Sequence, residues 1–288
     1  MGQAASILVD GLGFAEGLRW HDGALWCSDM GQQAILTIAA DSMTTRVVST
    51  PGPPSGLGWL PDGRLLLVSM LDRKVLRLDP EGLVEHADLN SVATYHANEM
   101  LVDPRGRAYV GNFGFDFMSF IATRSPEVAF TDPDFVCADL ALVEPDGTVR
   151  VAATELRFPN GMALTPDGRT LVVAESNGPW LTAFTVADDG SLSDRRRWAQ
   201  VPIGGPDGIC LDAEGAIWVA NPLSTQCLRL AEGGEILDRV TTSQPSYSCA
   251  LGGPDGRTLF IATAPPSTPT SAPAGRIEMA TVAVAGSP

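Results

Sequence analysis

Apolar residues in this chain come in short bursts of four to six. Each is entered from a turn and ends on a small or polar residue. The stretches RWHDGALWCSD (19–29), WLPDGRLLLVSM (59–70), VDPRGRAYVGN (102–112), LTPDGRTLVVAES (164–176), LDAEGAIWVAN (211–221) and GGPDGRTLFIATA (252–264) repeat one pattern. Its turn glycines are Gly23, Gly63, Gly106, Gly168, Gly215 and Gly256, spaced 40, 43, 62, 47 and 41 residues apart. Helical periodicity is nearly absent, and 30 glycines and 22 prolines break the chain into strand-length pieces. A sandwich would not repeat so regularly, and no Gly-His…Trp-Asp pairing recurs. Six units at this period predict an all-β fold, a six-bladed β-propeller of four-stranded antiparallel blades.

The segments between the repeats supply the outer strands. AILTIAA (34–40) with TTRVVST (44–50), KVLRLDPEGLVEHA (74–87) and LALVEPDGTVRVAA (140–153) read as hairpins. The 62-residue spacing holds an aromatic-rich insertion, about 113–136, that either lines one channel mouth or packs on its own blade. An open ring would leave a bare strand edge. ASILVDG at the N-terminus and RIEMATVAVA at the C-terminus are both strand-like, so they are expected to share one blade and close the ring. PPSTPTSAPAG (265–275) reads as a loop, and residues 1–288 as a single propeller domain.

The repeat aligns the chain with itself. Eight residues before each turn glycine stand Ser55, Asn98, Asn160, Asp207 and Ser248; in the first unit, one residue shorter, stands Glu16. A glycine follows in four units (Gly17, Gly56, Gly161, Gly208), and Glu99 and Cys249 in the others. Equivalent positions at the start of each innermost strand should ring one mouth of the channel. The ring holds two carboxylates, two amides and two hydroxyls, with no Lys, Arg or His. Such oxygen donors suit one hard divalent cation, Ca²⁺ foremost, with Mg²⁺ or Mn²⁺ as alternatives. The glycines would permit close approach at the axis.

Charge and cysteine content narrow the partners. A formal net charge of −15 without a Lys/Arg-rich run disfavours nucleic acid. No run approaches a membrane span, and the N-terminus lacks a basic region and a long apolar core, so a soluble, cytoplasmic protein without membrane contact is expected. The five cysteines are scattered along the chain without a C-x-x-C and read as small buried hydrophobes. His21, His86 and His96 show no paired spacing for an imidazole site. No G-x-S-x-G elbow is present, and Ser55 in PPSG has no evident His/Asp partners.

FAEGLRW, HANEMLVDPRGR, FPNGMALTPDGRTLVVAES, GGPDGICLDAEGAIWVAN and CALGGPDGRTLFIATA resemble the SMP-30/gluconolactonase/luciferin-regenerating-enzyme family over essentially the whole chain. The resemblance implies a six-bladed propeller with one divalent metal in its channel (Zn²⁺ joins the candidates) and hydrolysis of a small lactone or ester. It implies Glu16, Asn160 and Asp207 as metal ligands and Asn98 as a metal or substrate contact. Glu99 stands where sugar-lactone members have Asp, and His96 where they have a sugar-gripping Arg, so these two are further substrate-contact candidates. These departures, with the Phe-rich insertion, favour a lactone less polar than an aldonolactone. Asp207 is expected to take the proton of the attacking water while touching the metal. A non-catalytic binding propeller and a metal-assisted lyase or cyclase stay open as alternatives.

Overall fold

The computed structural model describes residues 2–117, 119–120, 136–266 and 273–287. Six sheets, each built on four antiparallel strands, follow one another along the chain. Blade one is Ala15–His21, Ala24–Asp29, Ala34–Ile38 and Thr44–Ser49. Blade two is Pro54–Trp59, Leu65–Ser69, Lys74–Asp79 and Gly82–Asp88. Blade three is Ala97–Val102, Ala108–Asn112, Ala138–Val143 and Val149–Leu156. Blade four is Pro159–Leu164, Thr170–Glu175, Trp180–Val186 and Leu192–Gln200. Blade five is Ile209–Leu211, Ile217–Val219, Gln226–Leu230 and Ile236–Thr241. Blade six is Ser246–Gly252, Thr258–Thr263, Gly275–Thr281 and, from the other end of the chain, Ser6–Leu12. The innermost strands neighbour one another in a closed cycle, the sixth returning to the first. The fold is the expected six-bladed β-propeller.

The unbroken apolar runs have a simple cause: a blade is covered on both faces. In Leu65–Ser69, Leu65 and Leu67 pack toward blade one, whereas Leu66 and Val68 pack toward blade three. In Thr170–Glu175, Leu171 and Val173 face blade three, and Val172 and Ala174 face blade five. With a side-chain period of two, both faces need apolar residues, so the strand reads as a continuous run. The core is accordingly six clusters, one at each seam between adjacent blades.

Closure follows expectation in the main. Ser6–Leu12 pairs antiparallel with Gly275–Thr281, so both chain ends build blade six. One strand was not legible in the sequence: Gln3–Ala4 pairs in parallel with Ile236–Thr241 and adds a fifth strand to blade five. The three outer hairpins lie where the pattern put them. Most of the 113–136 insertion, and residues 267–272 of the 265–275 segment, lie outside the described residues.

Each repeat turn is closed by a glycine in the left-handed region, with φ of 69° at Gly168 and 85° at Gly63. The glycines that follow the ring residues serve a different purpose from the expected one. A Cβ on Gly161 would overlap the Asp207 carbonyl oxygen and stand 2.6 Å from the Ile209 nitrogen; one on Gly208 would stand 2.6 Å from the Ser248 Cα. The neighbouring innermost strand, rather than a ligand, takes up the missing volume, and this sets how closely the strands approach at the axis.

Candidate active site

Five of the six ring residues lie within innermost strands near their N-terminal ends: Glu16, Ser55, Asn98, Asn160 and Ser248. Asp207 precedes its strand, which begins at Ile209, but its N–H still bonds the Ala220 carbonyl at 3.0 Å. All six are buried.

Their hydrogen bonds divide the ring by chemistry. Ser248 Oγ accepts the Leu18 N–H at 3.1 Å, which ties blade six to blade one. Ser55 Oγ donates to Asn98 Oδ1 at 3.1 Å. That bond occupies the Asn98 oxygen and turns its NH₂ group outward as a donor. Asn160 is set the opposite way. Ser176 Oγ gives its one proton to the Pro206 carbonyl (2.8 Å), so it must accept from Asn160 Nδ2 (3.0 Å). The Asn160 oxygen therefore points away from Ser176 as a free acceptor. Asp207 is 7% exposed, yet its Oδ1 is buried with no hydrogen-bond partner. Glu16, Asn160 and Asp207 thus keep oxygen available, Asn98 presents a donor, and the two serines are spent on inter-blade ties.

Three carboxylates converge on this mouth. Burial, then the charges of Asp207 and Glu99, push the Glu16 carboxyl well above its ordinary range. Burial and Glu99 push Asp207 up as well, against a hydrogen bond from Asn160. Glu99 is 2% exposed and held by Arg19 from blade one, with Nη2 3.3 Å from its Oε1, and by the Met100 N–H at 3.1 Å. Arg19 Nη2 also donates to the Met100 carbonyl at 2.5 Å. One guanidinium for three buried carboxylates leaves negative charge uncompensated, a state proteins resolve with protons or a cation. Among the described residues no three His, Cys, Asp or Glu side chains form a metal-holding group. The available donor set is instead two carboxylates and one amide oxygen, all hard, which fits Ca²⁺ or Mg²⁺ and argues against a thiolate or imidazole site.

Aromatic side chains cluster around Phe158 and His96, each two residues ahead of a ring asparagine. Phe158, two residues before Asn160, packs on Phe113 (ring centroids 4.3 Å) and Phe117 (5.6 Å). Its φ of 59° is unusual for a bulky residue. His96 stacks on Tyr95 at 4.1 Å and meets Phe113 edge-on at 5.9 Å. Burial lowers its pKa, which favours the neutral ring. Phe113 and Phe117 belong to the described start of the insertion and pack on Phe158, which lies two residues before Asn160.

Two sets of residues escaped the sequence reading. Tyr247 directly precedes ring residue Ser248. Burial, reinforced by Asp207 and Glu16, pushes its phenol up to about 12, so it stays a donor beside the acids. The second set is a further polar ring at or just beyond the end of each second strand: Asp29, Ser69, Asn112, Glu175, Asn221 and Thr263, all buried. Asp29 accepts the Gly13 and Phe14 N–H groups (2.9 and 3.1 Å). Glu175 accepts the Arg157 N–H (2.7 Å), and Asn221 Nδ2 donates to the Gly204 carbonyl (2.7 Å). These anchors lie two or three residues ahead of Glu16, Asn160 and Asp207, so they fix how each enters the ring. The signal was in the sequence: counted forward from the turn glycine, rather than back, a polar residue recurs at the sixth or seventh position.

The C-terminal halves of the same innermost strands line a cavity of about 580 Å³ at the opposite end of the channel, walled by Leu18, Trp20, Trp59 and Leu101. A cavity of about 500 Å³ on blade four, lined by Arg157, Arg195, Arg197 and Trp180, includes none of the ring residues. No helix among the described residues is long and apolar enough to cross a membrane.

Known proteins resemble this chain in sequence and in fold. The chain is 30% identical over 183 residues to regucalcin of Danio rerio, a match covering 62% of this chain and 57% of that protein. It is 28% identical over 192 residues to a 6-deoxy-6-sulfogluconolactonase of Pseudomonas putida, covering 64% of this chain and 60% of that protein. The chain thus matches a little over half the length of these curated relatives. In fold it is similar to a calcium-binding protein, regucalcin, of Agrobacterium tumefaciens, with a TM-score of 0.80 at 20% identity over 99% of this chain and 96% of the other. The SMP-30/Gluconolactonase/LRE-like region model matches residues 14–265, a span that runs from the start of blade one through the second strand of blade six and contains every ring residue. With fold, register and family model in agreement, the chain belongs to the SMP-30/gluconolactonase/LRE-like family.

Proposed function

We propose that this protein hydrolyses a lactone or related small ester with one divalent cation, Ca²⁺ foremost, held by Glu16, Asn160 and Asp207. The carrying observation is the uncompensated acid cluster at the axis, where the Asp207 Oδ1 is buried without a partner and the Asn160 oxygen is turned free. A relative named as a 6-deoxy-6-sulfogluconolactonase supports lactone chemistry, and a structural neighbour described as a calcium-binding protein, regucalcin, supports calcium. When bound, the cation supplies charge that polarises a carbonyl oxygen and lowers the pKa of water.

The chain's own residues do the rest. The Asp207 carboxylate accepts the proton of the attacking water. The Asn98 NH₂ group and the Tyr247 phenol donate to substrate oxygens. Neutral His96 and the Phe113–Phe158 wall bind the less polar side of the ring and keep bulk water out. Glu99, enclosed and paired with Arg19, keeps Arg19 in place and adds to the field that favours a cation; substrate contact falls to Asn98 and His96.

The deciding experiment is a panel of small lactones, polar and apolar, assayed with chelator and with added Ca²⁺, Mg²⁺, Mn²⁺ or Zn²⁺. Turnover that disappears with chelator and returns with one ion supports the proposal. An ion that raises the melting temperature while no lactone is opened would replace it with a non-catalytic binding propeller.

Ser176 gives a finer test. In Ser176→Ala, the Asn160 amide loses the buried acceptor that fixes its sense and keeps only its contact with Asp207. Loss of such a supporting contact costs on the order of 10–100-fold in metal affinity. We expect a Ca²⁺ Kd at least about tenfold weaker by calorimetry, with the chelated protein melting within a few degrees of wild type. An unchanged Kd would show that Ser176 does not orient that ligand.

A further inference from the structure

Three of the five cysteines, far apart in sequence, meet at the seam between blades five and six. Cys210 is on Ile209–Leu211, Cys227 on Gln226–Leu230 and Cys249 on Ser246–Gly252. The Sγ atoms of Cys210 and Cys249 are 3.7 Å apart, and Cys227 packs in the same core cluster. Cys249 Sγ also lies 3.5 Å from the Gly208 and Trp218 carbonyl oxygens. Cys227 is sealed in the core, whereas Cys210 is partly exposed, and Cys210 and Cys249 both line the 580 Å³ cavity at the turn-side end of the channel. A small solute entering that end meets these two thiols and not Cys27 or Cys227.

The backbones carrying the pair are already pinned together. Gly208 N–H bonds the Tyr247 carbonyl at 2.8 Å, and Gly208 packs directly on Ser248. A disulfide requires sulfurs about 2.05 Å apart. The remaining approach is about 1.7 Å, given the 3.7 Å separation, and lies within reach of side-chain rotation and a small strand shift.

We propose that Cys210 and Cys249 form a reversible disulfide, oxidised by a hydroperoxide that enters through the turn-side cavity. One thiolate sulfur attacks the peroxide O–O bond, becoming a sulfenic acid and releasing hydroxide. The second sulfur displaces the sulfenic hydroxyl, which leaves with the remaining thiol proton as water. The sum is two thiols plus hydrogen peroxide giving one disulfide and two waters. Either cysteine can react first with the same product, and a dithiol reductant restores both by exchange. The bond joins a residue next to Ser248 to one three residues beyond Asp207, so it strains the catalytic ring. That consequence rests on the lactonase reading; the bond itself does not.

The test uses the full chain carrying Cys137→Ser, which removes the exposed thiol. Folded protein is treated with equimolar hydrogen peroxide, alkylated in denaturant and mapped by mass spectrometry. The expected result is loss of two alkylatable thiols, a linked Cys210–Cys249 peptide that dithiothreitol cleaves, and Cys27 and Cys227 alkylated throughout. Cys210→Ser in the same background should give no intramolecular link. Four thiols intact after treatment, Cys210 taken to sulfinic acid without a link, or a link to Cys227 would each overturn the proposal. Lactone turnover should fall several-fold on oxidation and return on reduction. Reduced protein that opens no lactone counts against the lactonase reading alone, because the peptide map still decides the disulfide.

Discussion

Replacing Asp207 by Asn should lower lactone turnover by about 10²–10⁴-fold, the usual worth of a positioned general base. The substitution keeps volume, the hydrogen bond with Asn160 and one amide oxygen for a cation. It removes only the ability to take a proton and one negative charge. The loss should therefore appear in kcat at saturating cation, with a smaller change in KM. Stability should move the other way. Burial and Glu99 raise the Asp207 carboxyl above its ordinary range, so the ionised group destabilises the cation-free fold near neutral pH. The chelated Asn variant should accordingly melt at or above wild type. Asp207→Ala, which also discards the ligand oxygen, should lose both turnover and cation affinity. The Asn variant retaining more than about one tenth of wild-type kcat would remove Asp207 from the role of base.

Asp207 also shows how far a sequence of this kind can be read. The repeat places it: eight residues before a turn glycine, with the strand's polarity set by its own apolar run. Blade number, strand order, both ends of the closing blade and the identity of all six ring residues follow from the same periodicity, because each depends on a residue's own strand. What each ring residue does depends on the neighbouring blade. Ser55 and Asn160 occupy equivalent positions, yet Ser55 donates to Asn98 while Asn160 has its nitrogen held by Ser176 and its oxygen freed. The direction of the Ser176 proton, settled by the Pro206 carbonyl, decides the matter. No count along one strand contains that information. The same limit hid Arg19, whose partner Glu99 lies two blades away, and the meeting of Cys210 with Cys249. The parallel strand Gln3–Ala4 escaped for another reason: two residues carry no periodicity at all. The second polar ring was in plain view, but its positions vary between acid, amide and hydroxyl, and only the backbone groups they bind reveal a shared purpose.

The stabilisation conferred by Ca²⁺ should grow with pH, and its sign follows from the two displaced carboxyls. Glu16 and Asp207 are both raised in the folded protein, each chiefly by burial and then by neighbouring negative charge. In the unfolded chain they titrate at about 4. Between that value and their folded values the native state holds more protons than the unfolded state, so cation-free stability falls as pH rises through the window. At the acid end both groups are neutral and comfortable, and a cation must expel their protons to bind. At the alkaline end the protons are gone, the like charges face one another across the axis, and the cation answers them directly. Ca²⁺ at a hundredfold its Kd stabilises by about 2.7 kcal/mol, or roughly 5–10 °C for a chain of this size. That shift should be larger near pH 8 than near pH 5 at the same Ca²⁺ concentration, read by differential scanning fluorimetry against chelated controls. In Glu16→Gln the pH dependence should flatten, since one of the two expelled protons no longer exists. A shift that is equal at both pH values, or larger in acid, would mean that the ion binds elsewhere and that the ring acids keep their protons.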